Sequence, residues 1–115
     1  EEENLRANEE RRKMLADAPR LIIGTWRNQK GILEFRAGGT MQLTLEDQGT
    51  TITGTWSIVG DLLTVTETGR VTRGRRERAL PDPNLSRIIR IDAATYEMED
   101  VSHGSGVVFK ASRIK

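Results

Sequence analysis

The tripeptide Gly-Thr-Trp occurs twice, at Gly24-Thr25-Trp26 and at Gly54-Thr55-Trp56, and the two copies hold the only tryptophans of the chain. An apolar pair follows each copy at matching offsets, Leu33 and Phe35 in one case and Leu63 and Val65 in the other. A glycine then falls in register, Gly39 and Gly69. A constant shift of this size predicts one supersecondary unit used twice, strand, turn, strand, turn. The repeat constrains architecture, and no motif in the chain specifies a reaction.

From Leu21 onward the apolar period is two, with Thr, Val and Ile interleaved among polar residues and turn formers at short intervals. This pattern predicts strands over residues 21–28, 32–37, 40–46, 50–59, 62–68, 71–79, 85–92, 95–101 and 107–114, with breaks that include Gly38-Gly39, Gly60-Asp61, Gly69-Arg70 and Pro81-Asp82-Pro83-Asn84. Alternation assigns the faces. Met41, Leu43 and Leu45 oppose Gln42, Thr44 and Glu46, while Ile52, Gly54, Trp56 and Ile58 oppose Thr53, Thr55 and Ser57. Serial hairpins with one dry face and no long helical crossover favour an antiparallel up-and-down meander, and eight or nine such strands close, or nearly close, into a barrel. The inward set is expected to include Ile23, Leu33, Phe35, Met41, Leu43, Leu45, Ile52, Trp56, Ile58, Leu63, Val65, Ile89, Ile91, Met98, Val107 and Phe109.

Residues 1–19 differ in kind. Glu, Arg, Asn, Lys and Ala dominate, Leu5, Met14 and Leu15 are the only large apolar side chains, and Pro19 follows. They read as a charged N-terminal helix or tether ending before the proline, leaving residues 20–115 as the barrel domain.

A chain of 115 residues supports one domain with one modest core. Eighteen Lys and Arg against seventeen Asp and Glu leave a formal charge of +1, so no overall field steers the molecule to nucleic acid or an acidic membrane. Any charge-based function is local. The absence of cysteine excludes disulfides and thiolate metal sites and fits a cytoplasmic or an extracytoplasmic home alike. No stretch has the length of a membrane span, and the opening Glu1-Glu2-Glu3-Asn4 lacks the basic and apolar regions of a signal peptide. Such a start suggests a trimmed chain, with a signal or lipid-anchor segment upstream left open.

Ile-Gly-Thr-Trp at the first strand, Phe-x-x-Gly-Gly-Thr from Phe35 to Thr40, a second Gly-Thr-Trp-Ser, Gly60-Asp61-Leu62-Leu63-Thr64-Val65-Thr66 and the closing Val107-Val108-Phe109-Lys110-Ala111 together resemble the small lipocalin-like domains of bacterial envelope proteins. The likeness covers about residues 21–114. It implies an up-and-down barrel, periplasmic or secreted and often lipid-anchored, without a defined activity. More locally, Gly24-Thr25-Trp26-Arg27-Asn28-Gln29-Lys30-Gly31 is similar to the opening strand of the avidin family, where an asparagine matching Asn28 contacts the biotin ureido group. The present sequence departs from that family at Ile32, where avidins place a serine, and in having only Trp56 as a later tryptophan.

Candidate chemistry is sparse. His103, the only histidine, lies in Ser102-His103-Gly104-Ser105-Gly106, where a serine nucleophile has a base nearby but neither an orienting acid nor oxyanion donors. It reads as a solvent-exposed loop histidine. One histidine and no cysteine also argue against a metal site. Glu97 and Glu99, with Asp100 beside them, read as the wet side of an amphipathic strand whose opposite face holds Tyr96 and Met98, and Glu46-Asp47 lacks the run of oxygen ligands that calcium needs. No cofactor is expected.

The strongest local signal is basic. Arg70, Arg73, Arg75, Arg76 and Arg78 cluster in sequence, and Arg87 and Arg90 follow on the next strand. If those two strands pair, their guanidinium groups form one patch suited to phosphate or carboxylate. No aromatic residue is interleaved to stack bases, so nucleic acid fits poorly. The alternative is a charged edge that blocks strand-to-strand aggregation. The expected function is thus a noncatalytic extracytoplasmic binding or assembly module whose Arg73, Arg75, Arg76, Arg78, Arg87 and Arg90 contact an acidic protein or envelope polymer. The alternative function is carriage of a small apolar ligand inside the barrel, against Trp26, Phe35, Trp56 and Met98.

Overall fold

The computed structural model describes residues 2–80, 82–102 and 106–115, with side chains from Leu5 onward. One helix, α1 (Glu2–Leu21), precedes nine strands: β1 (Gly24–Arg27), β2 (Ile32–Phe35), β3 (Thr40–Leu45), β4 (Thr50–Val59), β5 (Leu62–Thr72), β6 (Arg75–Glu77), β7 (Asn84–Ile91), β8 (Thr95–Asp100) and β9 (Val108–Arg113). Strands β1 to β5 pair in succession, β5 pairs β7, and β7, β8, β9 and β1 complete the ring, all antiparallel. Eight strands therefore form the closed up-and-down barrel that the alternation predicts, and β6 stands outside it on the far half of β5.

The core follows from the pleat. Trp26, Phe35, Met41, Leu63, Ile88, Ile91, Tyr96, Met98 and Ala111 point inward and are buried, joined from the helix by Ala18 and from the β1 approach by Ile22. Fully burying a side chain of this size stabilises by about 1.5–3 kcal/mol, and every strand of the ring supplies at least one inward apolar group. Glu97 and Glu99 take the outer face beside the buried Tyr96 and Met98, as alternation requires.

The helix does not end before Pro19 as expected; it continues to Leu21. Proline removes one backbone donor, so tertiary contacts must hold the last turn. They do so from two sides. Ala18 and Ile22 are wholly buried with Met14, Leu15 and Leu21 packed around them. The terminal carbonyls, which no helical N–H can reach, accept from side chains instead: Ile22 O from the Trp26 indole at 2.8 Å, Ile23 O from Arg113 at 2.9 Å, and Leu21 O from Arg113. The helix is thus the floor of the barrel rather than a detached tether.

Two inserted residues correct the predicted faces and breaks. On β7 the register slips between Ile88 and Arg90, so Ile88 and Ile91 both point inward and Ile89, expected inside, is exposed. On β5 the slip falls opposite Thr53 and Gly54, with Thr68 as the extra residue. Gly69-Arg70 is therefore not a turn: β5 runs through it to Thr72, and the chain reverses at Arg73-Gly74, both at positive φ. Ile23 and Val107 are also exposed rather than inward. Ile23 lies in the link before β1 and Val107 just before β9, so no strand pleat turns either toward the core.

The repeat does not survive in register. Trp26 faces Leu33, but Trp56 faces Val65, because the first hairpin turns over four residues and the second over Gly60-Asp61 alone. Gly39 forms a turn whereas its counterpart Gly69 lies within β5.

Candidate functional site

Two features of the outer end of the barrel carry chemistry. The first is the arginine-bearing hairpin. Beyond Val65 the seam between β5 and β7 opens, and β5 takes β6 as its neighbour instead. Strands β6 and β7 do not pair; they lie in tandem along β5, with residues 78–83 between them. Arg76 faces Val71 and Arg87 faces Leu62, nine residues apart on β5, or roughly 30 Å at about 3.3 Å per residue. The expected single patch is therefore two groups.

The groups differ in charge balance. Arg87 approaches Glu99 at 3.8 Å, and Arg90 faces Glu97, which also meets Lys110 at 3.7 Å, so the barrel wall is a ladder of alternating sign. On the hairpin Arg73, Arg75, Arg76 and Arg78 are exposed, and no carboxylate of the described residues comes within ion-pair distance of them. Arg70 is the exception. It grips Glu67 with two hydrogen bonds, at 2.9 and 3.0 Å, and Glu67 accepts a third from the Leu80 N–H at 3.0 Å. The Glu67 side chain is only 7% exposed, yet the Arg70 guanidinium holds its pKa below the ordinary value against the opposing effect of burial, with help from Leu80. The Arg70 pKa is raised in return, first by Glu67 and further by Glu77. This pair anchors residues 78–80 to β5 and leaves the other four arginines as surplus charge.

The second feature is a cavity of ≈ 150 Å³ inside the barrel, lined by Leu33, Phe35, Met41, Leu43, Leu63, Val65, Met98 and Phe109 and by the polar groups of Asn28, Lys30, Asn84, Ser86 and Tyr96. Of the four residues expected to touch a ligand, Phe35 and Met98 line it. Trp26 and Trp56 do not, because each packs behind a lining ring. Trp26 lies 5.0 Å from Tyr96, and Trp56 meets Phe35 edge-on at 5.7 Å. Lys30 Nζ sits 4.9 Å over the Phe109 ring at the mouth.

Asn28 Oδ1 accepts from the Lys30 and Gly31 N–H groups at 2.8 and 3.0 Å, which fixes the β1–β2 turn. The Asn28 side chain also meets Tyr96, whose pKa burial pushes up to about 12 despite that contact. The hydroxyl faces a space that Asn28, Lys30, Asn84 and Ser86 line beside the apolar side chains. Sequence reasoning placed Tyr96 on the inner face but missed its polar role; a lone tyrosine between Thr95 and Glu97 was the available signal.

Among the described residues no group of three or more His, Asp or Glu is arranged to hold a metal, and no helix is long and apolar enough to cross a membrane. His103, Gly104, Ser105 and Pro81 lie outside the described residues. Compared with family models, curated proteins and solved structures, the chain matches none.

Proposed function

We propose that this protein is a noncatalytic, extracytoplasmic, lipocalin-like module that binds or assembles through its β5–β6 hairpin, with an acidic protein or envelope polymer as partner. One observation carries the reading: Arg73, Arg75, Arg76 and Arg78 stand exposed without carboxylate partners among the described residues, on a hairpin outside the ring, whereas on the barrel wall Arg87 pairs with Glu99 and Arg90 faces Glu97. Guanidinium groups on and beside a short paired strand suit carboxylate, sulfate and phosphate, because the planar fork of donors matches these anions bidentately. The test is retention on immobilised dextran sulfate and polyglutamate. Changing all four arginines to Gln is expected to weaken retention at least tenfold while the melting temperature stays within about 2 °C, since exposed charges contribute little to stability. Undiminished retention refutes the reading.

The cavity favours a second reading, a carrier of one small ligand. A space of ≈ 150 Å³ falls below the ~300–1,000 Å³ of drug-sized sites, but a cavity of about that size takes a benzene-sized molecule. The expected occupant is a single small ring with one acceptor for the Tyr96 hydroxyl. Phenol-sized probes that perturb neither Tyr96 nor Met98 in NMR spectra would remove this reading.

A further inference from the structure

The outer face of the sheet holds a depression of ≈ 440 Å³ at the β5 bulge, lined by Thr51, Thr53, Thr68, Gly69, Arg76 and their neighbours on β5 and β6. We infer that it is a seat for the anionic ester group of a saccharide, phosphate or sulfate, and that it supplies the specific contact of the hairpin. The inference rests on the hairpin reading above and names the chemistry it recognises.

Its shape comes from the bulge. Thr53 faces Gly69 across the β4–β5 ladder, and the absence of a side chain at Gly69 leaves a dip between Thr53 and Val71. A Cβ there would stand 2.8 Å from Thr53 Oγ1, so the threonine hydroxyl leans over the glycine backbone. Thr68 Oγ1 reaches only the Thr53 carbonyl, at a long 3.4 Å. Thr51 and Thr53 hydroxyls have no protein partner among the described residues. Two hydroxyl donors, on Thr51 and Thr53, are therefore free on one small surface, and Thr68 beside them holds its acceptor only at long range.

The charge comes from β6. Arg76 faces Val71, which itself faces Thr51, so its guanidinium flanks the hydroxyls on the same side of the sheet. Arg70 and Glu77 also line the depression, but they face one another across β5 and β6, and Arg70 is already held by Glu67. Over residues 66–80 five arginines against two glutamates leave a local charge of +3. A guanidinium beside hydroxyl donors complements a tetrahedral oxyanion. The volume, unlike that of the inner cavity, lies within the ~300–1,000 Å³ of small-ligand clefts and admits a sugar ring with its charged substituent.

The experiment is a ¹⁵N NMR titration with glucose 6-phosphate and, separately, galactose 6-sulfate, against sodium chloride at equal ionic strength. The expected result is saturable shifts at Thr53, Thr68, Gly69 and Arg76 with at least one ester, the tighter of the two identifying the group the polymer carries. Arg76→Gln is expected to raise the dissociation constant at least tenfold and Thr53→Val about threefold, while Arg87→Gln changes nothing. Shifts that merely follow ionic strength, or that spread over Arg73, Arg75 and Arg78 while sparing Gly69, overturn the site. If the esters fail to saturate yet the fourfold arginine variant still loses dextran sulfate, this seat falls and the hairpin reading stands. If the esters saturate and the fourfold variant still retains the polymer, the hairpin reading falls instead.

Discussion

The two Gly-Thr-Trp copies begin β1 and sit within β4, and the same three residues meet different fates. Trp26 is wholly buried; its indole donates to Ile22 O, Tyr96 packs on it, and the Arg113 guanidinium lies 4.3 Å over its ring. Trp56 is half-exposed, donates to Arg36 O at 3.0 Å, and touches Phe35 by an edge. The glycines differ as well. Gly24 needs its φ of +141°, and a Cβ there would run into Arg113 and the Lys115 carbonyl. Gly54 has ordinary backbone geometry but lies against the Thr66 carbonyl where the ladder slips. A short motif thus supplies a tryptophan at the closed end of a hairpin barrel, and the elements that arrive later in the chain decide how deeply it is buried.

Four substitutions or titrations sharpen that contrast. Trp26→Ala opens a cavity at the junction of helix and barrel and is expected to cost about 3–5 kcal/mol, measured by urea denaturation. A cost near 1 kcal/mol would make the two copies equivalent. Arg113→Ala leaves carbonyls at Leu21, Ile23 and Ala93 without their donor and is expected to cost about 2–3 kcal/mol. That variant should also lose far-UV helical signal from α1 before the barrel melts. Trp56→Ala, at a ring only partly buried against the core, is expected to cost less, about 1–2 kcal/mol.

An effect absent at neutral pH is a dependence on alkaline pH. Tyr96 is the only tyrosine, so its ionisation can be followed by ultraviolet absorbance without ambiguity. Its folded pKa of about 12 exceeds the ordinary 10, so the unfolded chain releases the proton first and stability falls as pH rises from 10 toward 12. An absorbance midpoint at 10 in the folded protein would mean that the ring is not enclosed.

Much of this architecture was legible in the sequence, for a physical reason. Period-two alternation and tight turns are local signals, and they placed the faces of β3, β4 and β8 without knowledge of any partner strand. The bulges at Thr68 and Ile89 were not legible, because one extra residue changes no composition; only Gly69 gave a hint, and it reads equally as a turn. Arg113 was invisible for a different reason. Its acceptors are set by the path of a helix ninety-two residues away rather than by its neighbours. At the candidate sites, the arginines were evident as a run. Their division into a balanced wall and an unbalanced hairpin depends on where β5 changes partner, and Asn28, Ser86 and Asn84 carry no periodic signature that marks them as lining a cavity.

The clasp formed by Arg113 on the carbonyls that end α1 has a consequence for biosynthesis. Helix α1 is synthesised well before β9 but is pinned only once β9 has emerged, because β9 both zips to β1 and carries the group that holds the helix end. Until then Ala18, Ile22 and Trp26 lack their full cover, and the nascent chain must carry this sticky segment while the eight later strands are made.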